Sequence, residues 1–199
     1  MFYYVVRFIF RLIFKLVFRW QVTGRENIPA TGGVIIAPNH VSNVDPPLVG
    51  SAMNRRVTIM AKEELFSFAL FGYIIRRLGA FPIKRGTGDR GAIKTALEAL
   101  RTGQALLLFP EGTRSKNGEL NKAQHGISLI ALKSQMPVIP VAHSGTFKFF
   151  RNGKWFPRFI VRFGKPLYPP SGVHSSKEVL DEFGASIRQE IRELLKQDA

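Results

Sequence analysis

The chain has 199 residues, 45% of them hydrophobic and 22% charged. That balance fits one domain of ordinary size with a real core, and it excludes a disordered tail or a polytopic membrane protein. Lys and Arg number 29 against 14 Asp and Glu, a formal net charge of +15, so the surface seeks phosphate in nucleic acid or in an anionic membrane; with no cysteine, disulfides, thiolate zinc sites and a cysteinyl covalent intermediate are excluded.

Met1 to Trp20 read MFYYVVRFIFRLIFKLVFRW. Apolar and aromatic residues fill nearly every place except Arg7, Arg11, Lys15 and Arg19. Each step of four turns a helix by about 400°, so these cations drift only about 40° per step and cover a stripe of roughly 120°. Four cations make a bilayer span costly, at about 2.5 kcal/mol or more each near its centre. A cleavable signal peptide fits no better, because charges run through the would-be apolar region. Residues 1–20 are therefore predicted to form an amphipathic membrane-anchoring helix in the interface, cations toward headgroups, ahead of a domain at 21–199. The competing reading is a terminal helix packed on the protein's own core.

Gly24–Gly33 is a turn-rich connector. The first predicted strand, Val34–Ala37, runs into Asn39-His40-Val41-Ser42-Asn43-Val44-Asp45-Pro46. On a continuous helix His40 and Asp45 would lie about 140° apart, so pairing them requires a loop that folds His40 back. Asp45 would then accept the Nδ1–H of His40 and leave the other nitrogen free to take a proton. Asp45 before Pro46-Pro47 also reads as an N-cap, a role compatible with orienting His40. A helix is predicted over Pro47–Met53.

Strand Val57–Met60 and helix Ser67–Arg77 follow. Next comes Gly79-Ala80-Phe81-Pro82-Ile83-Lys84-Arg85-Gly86, where two adjacent cations before a glycine turn suit an anionic group. Helix Asp89–Arg101 leads to strand Ala105–Phe109. That strand delivers Glu111, Gly112, Thr113 and Arg114 to a sheet end. Arg114 offers a planar fork for phosphate, and Glu111 can hold a substrate hydroxyl or pair with Arg114. Helix Gly126–Ser134 precedes strand Val138–Ala142, which ends in His143-Ser144-Gly145-Thr146, read as a wall of the site. Phe147–Phe150, Asn152-Gly153 and Lys154–Phe156 suggest a hairpin with a type I′ turn. Strand Phe159–Phe163 and helix Ser176–Lys196 complete the chain, Ser175 with Glu178 resembling a capping box. The alternation argues an α/β layered domain with a mostly parallel central sheet flanked by helices, its site in loops past the strand ends.

NHVSNVDP, GAFPIKRG, FPEGTRS and VIPVAHSGT stand in the order and spacing of the four motif blocks of the glycerolipid acyltransferases. Over Gly24 to Pro169 the chain resembles the 1-acyl-sn-glycerol-3-phosphate (lysophosphatidic acid) acyltransferases of short bacterial type. The resemblance implies transfer of a fatty acyl group from an acyl thioester to the sn-2 hydroxyl of lysophosphatidate. It implies His40 as general base, Asp45 as its orienting carboxylate, Lys84 and Arg85 at the phosphate-binding position, Glu111 and Arg114 as acceptor-binding residues, and Gly112 and Thr113 in the turn between them. Two positions depart from the pattern: Lys84, where an acidic residue is frequent, and Gln124, where a lysine is common.

Such a reaction needs no metal and no cofactor; acyl-CoA or acyl carrier protein serves as co-substrate. The expected partners are an anionic membrane lipid surface, lysophosphatidic acid and that donor, at the cytoplasmic face of the cell membrane. No nucleic-acid motif is recognisable, so nucleic acid is not expected despite the charge. His125, His143 and His174 have no evident partner and are read as structural or exposed.

Overall fold

The computed structural model describes residues 1–84, 86, 88–149 and 155–197. Seven strands form one sheet: β1 (Gln21–Thr23), β2 (Val34–Pro38), β3 (Val57–Lys62), β4 (Ala80–Ile83), β5 (Ala105–Leu107), β6 (Val138–Ser144) and β7 (Ile160–Phe163). Their spatial order is β1-β7-β6-β2-β5-β3-β4. From β6 to β4 every pairing is parallel; β7 is antiparallel to β6, and β1 parallel to β7. The helices are α1 (Phe2–Leu16), α2 (Asp45–Ala52), α3 (Ala69–Arg77), α4 (Arg90–Arg101), α5 (His125–Ser134) and α6 (Lys177–Lys196).

Central β2 is buried at every position, as an unbroken apolar run covered on both faces must be. Its side chains alternate. Val34 and Ile36 meet Phe14 of α1 and Leu48 and Val49 of α2. Ile35 and Ala37 meet Ala96 and Leu100 of α4, Ile130 of α5, and Ile187 and Ile191 of α6. The result is a three-layer α/β/α domain with a mostly parallel sheet, as expected.

The two strands without a sequence signal, β1 and β4, are the sheet's edges. Neither holds a fully buried residue, so neither carries the apolar run that marks an inner strand. The cap of α6 is Ser176, whose Oγ accepts from Val179 N at 3.4 Å, rather than Ser175. The turn of the expected hairpin lies outside the described residues. Its described arms are not strands: Thr146–Lys148 is a short 3-10 turn, and Trp155 and Phe156 lie in a bend. Gly145 ends β6 at φ +95° and turns the chain away from extended geometry.

Helix α1 departs from expectation in which side faces out. Arg11 donates to the Ser51 and Met53 carbonyls at 2.8 and 2.7 Å, and Arg25 to Ala52 at 2.8 Å. Arg7 reaches the Met53 carbonyl at 3.4 Å. Arginines thus close the C-terminal carbonyls of α2, where positive charge is favourable by about 0.3–1 kcal/mol each. Phe14 and Phe18 are buried in the core, while Phe2, Phe8, Ile9, Leu12 and Leu16 are exposed. Two cations of the stripe therefore face the protein and not headgroups, and an apolar face looks outward. Among the described residues no helix is long and apolar enough to cross a membrane.

Candidate active site

The parallel neighbours β5, β2 and β6 end side by side, so their following loops meet at one sheet edge. After β2 the chain folds back as the His40–Asp45 spacing requires. His40 Nδ1 lies 2.8 Å from Asp45 Oδ2. The same oxygen accepts the Val41 and Ser42 amides, both at 2.7 Å. Asp45 is the first residue of α2 rather than its N-cap, and it makes no cap hydrogen bond to the helix. Pro46 and Pro47 carry no N–H, so that turn asks little of a cap and the carboxylate serves the preceding loop.

Asp45 is fully buried, and its Oδ1 has no hydrogen-bond partner among the described residues. Burial resists ionisation, but the charge of nearby His143, the His40 hydrogen bond and the Ser42 and Val41 amides outweigh it and hold the carboxyl below the usual carboxylate range. An ionised carboxylate only accepts, so Nδ1 of His40 is the nitrogen that donates to Asp45 Oδ2. The ring stacks on Phe109, centroids 3.9 Å apart, and is 7% exposed.

Glu111 is buried and commits both oxygens to backbone: Oε1 accepts His40 N at 2.7 Å, and Oε2 accepts Asn121 N at 3.0 Å. It therefore accepts backbone amides where an ion pair with Arg114 was one expectation, and each oxygen keeps a further lone pair. It fixes the backbone beneath His40, and Ser115 N adds a bond to the His40 carbonyl at 2.8 Å. Arg114 is exposed and donates to Asn43 Oδ1 at 2.9 Å, a tie back to the His40 loop.

A cavity of about 690 Å³ opens beside this loop, lined by Phe109, Glu111, Gly112, Thr113 and Lys84 among others. Gly112 holds φ +67°, and a β-carbon there would stand 3.1 Å from the Gln124 side chain. Lys84 is exposed, its amide bound by Asp89 at 3.0 Å. Arg85 lies outside the described residues.

Two further residues, Asn39 and His143, complete the cluster. Asn39 Nδ2 donates to the His143 carbonyl at 3.1 Å, and Oδ1 accepts His143 N at 2.9 Å. His143 Nε2 lies 2.7 Å from the Asn39 carbonyl and 3.7 Å from Asp45 Oδ2. The pair is 104 residues apart in sequence, so no local spacing announces it. The signal available was register: Pro38 pairs with Val141, which carries His143 to the His40 loop. His125 also has a partner, Asp181, at 3.2 Å. Among the described residues no group of three or more His, Asp or Glu is placed to hold a metal.

A family model described as Acyltransferase matches residues 19–144. The chain belongs to this acyltransferase family. The acyltransferase is 32% identical over 179 residues to the 1-acyl-sn-glycerol-3-phosphate acyltransferase of Bacillus subtilis, covering 87% of each chain. It is 40% identical over 108 residues to a lyso-ornithine lipid O-acyltransferase of Pseudomonas aeruginosa, a match that spans 53% of this chain and 41% of that one. Among solved structures, the 1-acyl-sn-glycerophosphate acyltransferase of Thermotoga maritima superposes with a TM-score of 0.76 at 28% identity, covering 96% of this chain and 79% of that one.

Proposed function

We propose that this acyltransferase transfers a fatty acyl group from an acyl thioester, acyl-CoA or acyl carrier protein, to the sn-2 hydroxyl of lysophosphatidic acid, giving phosphatidic acid. The observation that carries the reading is the 2.8 Å contact of His40 Nδ1 with Asp45, which commits Nδ1 and so assigns the base role to Nε2. His40 Nε2 removes the hydroxyl proton as the alcohol oxygen attacks the thioester carbonyl. The carbon–sulfur bond then breaks, an ester forms, and the imidazolium returns the proton to the leaving thiolate. Asp45 holds the tautomer and stabilises the transient imidazolium. No redox change occurs, and no cofactor or metal enters the scheme.

In this reading Lys84 and Arg114 face the acceptor phosphate, with Gly112 and Thr113 forming the wall between, and Arg85 is assigned a phosphate-binding role from its motif alone. Glu111 acts by holding the loop. Residues 1–20 anchor the catalytic region at 21–199 to an anionic lipid surface, at the cytoplasmic face where thioester donors reside. The exposed Phe8, Leu12 and Leu16, together with Phe68, Leu70 and Phe71 around α3, supply apolar surface for that contact. Leu12→Asp with Leu16→Asp is expected to release the protein from anionic vesicles in a flotation assay; unchanged flotation would refute anchoring by this face.

The similarity to a lyso-ornithine lipid O-acyltransferase motivates a second reading, in which the acceptor is another lysolipid. An acceptor panel with one labelled palmitoyl thioester decides between them. Label is expected in phosphatidate, with lysophosphatidate preferred over lyso-ornithine lipid and glycerol 3-phosphate. Preference for a phosphate-free acceptor would overturn the assignment.

A further inference from the structure

Two cavities are lined by residues of the candidate site. One, on the side of Phe109 to Thr113, belongs to the acceptor reading above. The other, of about 580 Å³, is lined by Asn39, Val41 and His143 on its loop side. Its other walls carry two cations, Arg19 and Arg158, and two aromatic rings, Phe147 and Phe156. The volume falls within the usual range for small-molecule sites, about 300–1,000 Å³.

Left-handed backbone accompanies both cations, at Arg19 itself and at Gly145 beside Arg158. Arg19 has φ +44°, a left-handed conformation that non-glycine residues disfavour and that marks sites where another demand wins. It spends one donor on the Phe156 carbonyl at 3.1 Å, which keeps the guanidinium beside the cavity with donors to spare. Arg158 reaches the end of β6 because residue 145 is glycine. A β-carbon at Gly145 would stand 2.1 Å from the Arg158 carbonyl oxygen.

A transfer between two substrates needs both to reach one base. We propose that this second cavity takes the phosphopantetheine arm of the thioester donor, Arg19 and Arg158 binding its phosphate and Phe147 and Phe156 packing along the pantetheine chain. The inference rests on the acyl-transfer reading. The same phosphorylated arm is carried by CoA and by an acyl carrier protein, so the site serves either source. Guanidinium forks suit a phosphate oxygen pair, and the arm's apolar stretches suit the aromatic wall.

The test uses the full-length protein in lipid nanodiscs. Arg19→Gly relieves the left-handed strain, so its melting temperature is expected to hold or rise. Arg19→Gly and Arg158→Ala should each raise the KM for palmitoyl-CoA about five-fold, and the double variant at least about twenty-fold, with kcat and the KM for lysophosphatidate within about two-fold. Palmitoyl-carried acyl carrier protein should show the same shift, and CoA titrated calorimetrically should bind the double variant correspondingly more weakly. An unchanged donor KM in the double variant overturns the proposal, as does a shift confined to palmitoyl-CoA, which would place nucleotide phosphates rather than the arm at these arginines. Failure of the wild-type protein to acylate any lysolipid would instead refute the underlying reading, before any variant is compared.

Discussion

His40→Ala is expected to lower kcat/KM for acyl transfer by about a thousandfold, within the range a general base contributes. The ring is buried, with Nδ1 held by the buried Asp45 carboxylate, so Nε2 is the nitrogen left for proton transfer in the proposed reaction. Removing it deletes the proposed proton acceptor but leaves Glu111, Phe109 and the cavity residues in place. Loss of the stacking contact on Phe109 costs stability on the order of 1 kcal/mol, which urea denaturation separates from loss of turnover. Asp45→Asn should fall between this variant and the wild type, since an amide can mimic one acceptor but cannot stabilise an imidazolium. A folded His40→Ala protein with near-normal turnover would defeat the mechanism.

Glu111→Ala is expected to damage both stability and activity. Its two carboxylate oxygens bind the backbone amides of His40 and Asn121. Hydrogen bonds to a charged group contribute about 1.5–3 kcal/mol each, and the two amides would be left buried without their acceptor. A loss of about 3–5 kcal/mol in unfolding free energy and a tenfold or larger fall in kcat are expected. Because Glu111 acts through the loop, the KM for lysophosphatidate should move less than kcat. A variant with normal stability and a large rise in acceptor KM alone would show that Glu111 meets the substrate directly.

The inner architecture was legible because burial leaves a mark in composition. The apolar runs at Val34, Val57, Ala105 and Val138 became adjacent strands, and the helix expected over Ser176–Lys196 formed over Lys177–Lys196. The edges were not legible, since Gln21–Thr23 and the Pro82-containing Ala80–Ile83 have one neighbour each and need no continuous apolar run. At the site, the spacing and Pro46 stated what a His40–Asp45 pair would require, a loop folding back, and the 2.8 Å contact meets that condition. What spacing could not supply was the direction of individual side chains. The basic stripe of α1 suggested headgroups, yet Arg7 and Arg11 found the open carbonyls of α2. Glu111 next to Arg114 suggested an ion pair, yet backbone amides from two other loops claim both its oxygens. His143 acquired its place only through strand register.

The most direct measurement is the tautomer of His40, read by ¹⁵N NMR on histidine-labelled protein in nanodiscs, with His40→Gln assigning the signal. The account predicts a proton on Nδ1, hydrogen-bonded to Asp45, and a bare Nε2. A ring protonated on Nε2 with Nδ1 bare would leave no base facing the acceptor and would contradict it.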